Sequence, residues 1–77
     1  MRYFKVKIIY EIPSPEDNAP QFEQVLYCCV QYYFPSTVQL RELFYSLYEK
    51  ENKKYLSATW HAVREEEIPT HEIHLLA

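Results

Sequence analysis

The stretch STVQLRELFYSLYEKEN, residues 36–52, decides the fold, because it spells one amphipathic helix with a marked start. Ser36 fits the N-cap, and Gln39 three residues later completes a capping box, each side chain meeting the other residue's backbone N–H. Glu42 lies toward the positive end of the helix. Lys50, Lys53 and Lys54 lie toward the negative end, and Asn52 is a candidate left-handed C-terminal cap. At about 100° per residue, Leu40, Leu43, Phe44, Leu47 and Tyr48 form one stripe, which is expected to enter the core. Val38 and Tyr45 fall roughly 140–160° away from Leu40, among Arg41, Glu42 and Glu49, and hint at a partner.

The flanking segments carry period two instead. Residues 2–12, RYFKVKIIYEI, place Phe4, Val6, Ile8, Tyr10 and Ile12 on one face, with Tyr3, Lys5, Lys7, Ile9 and Glu11 on the other. This is a half-buried strand ended by Pro13. Residues 13–20, PSPEDNAP, read as an exposed proline-rich loop. Residues 21–34, QFEQVLYCCVQYYF, are apolar on both parities, as in a strand covered on both sides. Phe22, Leu26, Cys28, Val30, Tyr32 and Phe34 share one parity; Val25, Tyr27, Cys29 and Tyr33 share the other. Fully extended, this run would span about 46 Å, against a radius of gyration near 11–12 Å for a globule of this length. The strand is therefore expected to bend or stop near Gln31, leaving an aromatic lead-in to the helix.

Residues 55–64, YLSATWHAVR, read as a third strand with Leu56, Ala58, Trp60 and Ala62 on one face, small residues flanking the indole where a helix packs close. Residues 70–76 suggest a short fourth strand, with His71, Ile73 and Leu75 on one face. The expected architecture is α+β: a single domain over 1–77, ordered β-β-α-β-(β), with a three- or four-stranded sheet and one amphipathic helix on one face.

Composition narrows function by exclusion. The 77 residues contain eight Tyr, four Phe and one Trp, but no Gly. Phosphate-binding loops that depend on glycine are thereby excluded, and any left-handed turn position falls to Asp17, Asn18 or Asn52. The net charge of −3 speaks against a basic nucleic-acid stripe. Neither a membrane span nor a signal-peptide pattern is evident, and a cytoplasmic protein is expected.

Chemistry-bearing residues are few. The adjacent Cys28 and Cys29 point to opposite faces of a strand and read as small apolar residues in a reducing compartment. A nucleophile would pair one of them with His61, yet burial in a central strand works against a reactive thiol. His71, Glu72 and His74 do not have the spacing of the helical zinc-protease motif. The run Glu65–Glu67 reads as a solvated turn. No catalysis, cofactor or metal is expected.

One helix covers only one face of such a sheet. Tyr3, Ile9, Val25, Tyr27, Cys29 and Val63 would line the other face, and contiguous apolar patches of this kind mark interaction sites. The sequence thus predicts a small non-catalytic interaction protein, an inhibitor or regulator of the kind phages and mobile elements encode. It would bind another protein or pair sheet to sheet as a homodimer. The alternative is single-stranded nucleic-acid binding, with Tyr3 and Tyr27 stacking on bases beside Lys5 and Lys7.

Overall fold

In the computed structural model, which describes residues 1–15, 19–31 and 33–76, the period-two segments form strands and the capped segment forms the helix. Strands β1 (Arg2–Glu11) and β2 (Gln21–Val30) make a long antiparallel hairpin, in register from Arg2↔Val30 to Glu11↔Gln21. Helix α1 (Thr37–Leu47) follows, then β3 (Lys54–Val63), a 3₁₀ turn at Glu65–Glu67 and β4 (His74–Leu75). The sheet order is β3-β1-β2-β4, with β3 antiparallel to β1 and β4 parallel to β2. This is the small α+β architecture expected from the sequence.

The core lies between the helix and one sheet face. Phe4, Val6, Ile8 and Tyr10 of β1 meet Cys28 and Val30 of β2 and Leu40 and Phe44 of α1, with Leu76 closing one end. Leu40 and Phe44 are completely buried, and each such side chain contributes about 1.5–3 kcal/mol relative to exposure. The capping box forms: Gln39 N–H donates to Ser36 Oγ, and Ser36 N–H donates to Gln39 Oε1, both at 3.1 Å.

Several local expectations change. The helix stops at Leu47, one turn early, because the chain turns at Tyr48 and is held by N–H bonds from Glu51 to Tyr48 O and from Lys53 to Glu51 O. Lys53 then folds back with its ammonium 4.0 Å from the Tyr48 ring centre and 5.0 Å from that of Tyr10. Asn52 is not left-handed, since no described residue has positive φ; Asp17, Asn18 and Tyr32 lie outside the described residues. Leu47 stays exposed instead of joining the core, and Ile12 and Phe22 are exposed at the far end of the hairpin.

A register shift on β3 is the largest departure. Ile9 pairs with Ser57 but Tyr10 pairs with Tyr55, so Leu56 is an extra residue bulged out of the ladder. The bulge inverts parity below it: Tyr55 packs on the core and Leu56, expected there, is exposed. At the other end of the chain the fourth strand shortens to His74–Leu75, and Leu76 rather than Leu75 enters the core.

Two crossovers position the surfaces. The connection from β2 to β3 runs through α1 and passes over β1. The connection from β3 to β4 runs back across β1 and β2 through residues 64–73. These connections travel in opposite directions, so a shared hand places them on opposite faces of the sheet. Tyr3, on the face away from α1, lines one hollow with Glu65 and Glu66, which locates the start of the second crossover there. The whole is elongated, 43 × 22 × 19 Å with a radius of gyration of 13.4 Å, because ten-residue strands are long for so short a chain.

Candidate interaction surface

The sheet face away from the helix is less bare than one helix would leave it. Cys29 is only 8% exposed and is not available to a partner. Tyr3, Ile9, Tyr27 and Val63 are half-buried, and Val25 is exposed. Register places Tyr3 between Cys29 and Val63, Lys5 between Tyr27 and His61, and Lys7 between Val25 and Thr59. Glu65 lies near Tyr3 at one end of this row, and Glu67 lies near His61. Partial burial and then Glu65 raise the Tyr3 hydroxyl above the ordinary tyrosine range. Hydrogen bonds from the Arg64 side chain and backbone hold Glu67 below the usual carboxylate range, and His61 adds a smaller pull. Arg64 Nε lies 2.7 Å from Glu67 Oε1.

Val38 and Tyr45 are exposed on the flank of α1. Tyr45 is also structural: its hydroxyl accepts the Tyr55 N–H at 3.1 Å, and its ring packs edge-on against Phe44. These two residues therefore face the β3 side of the helix, not the sheet face that carries Tyr27.

The most exposed large apolar side chains lie elsewhere, at the end of the sheet where β1 begins and β2 stops. Tyr33 is 79% exposed, Met1 and Phe34 65%, and Leu75 64%. Phe34 sits between two adjoining hollows. One, about 510 Å³, is bordered by Met1, Tyr3 and Val63; the other, about 380 Å³, by Tyr33, Leu75 and Leu76. The ring of Phe34 is held edge-on to Phe4 at 6.1 Å, with the Arg2 guanidinium 5.3 Å from its centre. Strand arithmetic alone missed this patch. The signal was present in Tyr33-Phe34-Pro35, aromatics between a strand that must stop and a helix that Ser36 must start. Chain direction reverses there, and both side chains are carried outward.

Cys28 and Cys29 are free thiols, and burial, with Cys29 alongside, pushes the Cys28 thiol up to about 11. A thiol this hard to ionise is a poor nucleophile. His74 Nε2 lies 3.9 Å from Glu72 Oε1, and the described residues contain no group of three or more His, Cys, Asp or Glu able to hold a metal. A groove of about 520 Å³ runs beside β2, between Leu47 and Tyr48 of the helix end and Thr70 and Glu72 of the crossover. No helix among the described residues is long and apolar enough to cross a membrane.

No protein-family model matches the chain, and comparison with curated proteins and with solved structures finds no match.

Proposed function

We propose that the protein is a small non-catalytic interaction module that engages another protein through the apolar end patch centred on Phe34. The observation that carries this reading is the concentration of Met1, Tyr33, Phe34 and Leu75 at one end, each about two-thirds exposed or more. Exposed aromatic clusters of this kind resemble the anchors of protein interfaces. Phe34 is held in place by Phe4 and Arg2, so docking would cost little side-chain ordering. An inhibitor or regulator acting by occupancy needs no more than this.

The test compares affinity capture by wild type, by a Tyr33→Ser/Phe34→Ser double variant, and by Tyr27→Lys. A partner held by wild type and Tyr27→Lys, and weakened about thirty-fold or more by the double variant, supports the patch. A partner lost with Tyr27→Lys and kept by the double variant moves the site to the sheet face.

A second reading, single-stranded nucleic-acid binding, is supported by the row Tyr27–Lys5–His61 across three strands. Glu65 and Glu67 border that row and make it the weaker of the two. It requires affinity for mixed oligonucleotides that falls with added salt.

A further inference from the structure

We infer that the outer edge of β3 is an interface for a second copy of this chain, joining two four-stranded sheets into one of eight strands. Strand β3 forms one side of the sheet, and no described strand lies beyond it. The direction of its peptides follows from the ladder. Leu76 N–H donates to Cys29 C=O at 2.9 Å, so the Cys29 peptide faces β4. Alternation across β2 and β1 then turns the peptides of Tyr3, Lys5 and Lys7 toward β3, and those of Ala58, Trp60 and Ala62 outward to solvent.

Exposed edges are ordinarily blunted by charge, proline or shortness. This one runs ten residues and has neither proline nor Asp, Glu, Lys or Arg between Lys54 and Arg64. Two features interrupt it near one end, the Leu56 bulge and the Tyr45 hydroxyl, which already accepts the Tyr55 N–H.

Charge identifies the occupant. Lys54 opens the strand, 3.8 Å from Glu11, and Glu65, Glu66 and Glu67 follow it, with Arg64 paired to Glu66 and Glu67. An antiparallel pair of identical strands sets the basic end of each copy against the acidic end of the other. A two-fold axis at Trp60 pairs Ala58 with Ala62 of the second copy and brings Lys54 opposite the acidic turn. Charge thus favours a second copy of the chain, paired antiparallel.

The helix flank fits the same interface. A two-fold axis perpendicular to the sheet puts both α1 helices on one face. Tyr45 leans toward β3 through its bond with Tyr55 N–H, and Val38, seven residues earlier, lies on the same side. Both are exposed, and in the pair they would face the opposing helix. This inference is independent of the Phe34 patch, which lies at the end of the sheet.

Light scattering after size exclusion, run over a concentration series, tests it alongside Trp60 emission, Trp60 being the only tryptophan. Dimer mass is expected at high concentration, with emission shifting on dilution in step with mass and dissociation promoted by salt. Ala58→Pro removes one outward donor while leaving the β1 ladder intact, and should give a monomer. Should that variant fail to fold, charge reversal decides. Lys54→Glu and Glu66→Lys should each raise the dissociation constant about ten-fold, and their combination should restore it to within about three-fold. Phe34→Ser should leave dimerisation unchanged. A strict monomer at every concentration overturns the inference, as does a dimer indifferent to both charge reversals.

Discussion

The backbone N–H of Tyr55 donates to the hydroxyl of Tyr45 at 3.1 Å, while the hydroxyl of Tyr55 is itself buried without a hydrogen-bond partner among the described residues. Two tyrosines in contact therefore have opposite polar accounts. Tyr45→Phe removes an acceptor from a strand-edge N–H and should destabilise by about 0.5–1.5 kcal/mol. Tyr55→Phe removes a desolvated hydroxyl and should be neutral or stabilising by up to about 1 kcal/mol. Urea midpoints of the two variants check the sign; equal shifts would refute the assignment.

Helix start and helix stop differ in what holds them. Ser36→Ala breaks the reciprocal pair with Gln39 and should cost about 1 kcal/mol. Asn52→Ala should stay within about 0.5 kcal/mol, because no described residue needs a left-handed conformation. Thermal melts followed by far-ultraviolet circular dichroism make the comparison.

The bulge predicts an asymmetry between two leucines. Leu40 is completely buried and Leu56 is 37% exposed. Leu40→Ala should cost about 2–5 kcal/mol and Leu56→Ala under about 1 kcal/mol. A large loss at Leu56 in chemical denaturation would mean that the unbulged register, with Leu56 facing the helix, is the populated one.

The Cys28 thiol links stability to alkaline pH. Its value rises from an ordinary 9.0 to about 11 in the fold, so between these limits the unfolded chain ionises while the native thiol keeps its proton. That contribution is intact below pH 9.0, and it is lost as pH climbs through about 11. Denaturant midpoints measured over this window should fall less steeply for Cys28→Ala than for wild type. Native Cys28 should also resist a disulfide-exchange reagent at neutral pH and react freely once unfolded.

Much of the fold was legible because its determinants are local. Phe4, Val6, Ile8 and Tyr10 alternate without interruption, and Ser36 with Gln39 marks a helix start within four residues. The unreadable parts depend on distant pairing. Whether Leu56 or Tyr55 faces the core is decided by where β3 slips against Ile9 and Tyr10. The helix ends at Leu47, where the chain turns at Tyr48, and Lys53 then meets the Tyr48 and Tyr10 rings, a contact that charge patterning places at the helix dipole instead. Cys29, expected on a bare face, is buried with β4 pairing beside it, a pairing that depends on the distant return of residues 64–73. Phe34 was visible as an aromatic, but its exposure follows only from where β2 stops.

The 43 Å length of the molecule has a practical corollary. The β1–β2 hairpin carries Pro13 and Pro15 at one extremity, while Phe34 sits beside Phe4 at the other. A fluorophore or fusion tethered at Ser14 would project away from anything seated on Phe34. Such a tether would work as a handle, immobilising the protein on a surface with its far tip free to be occupied.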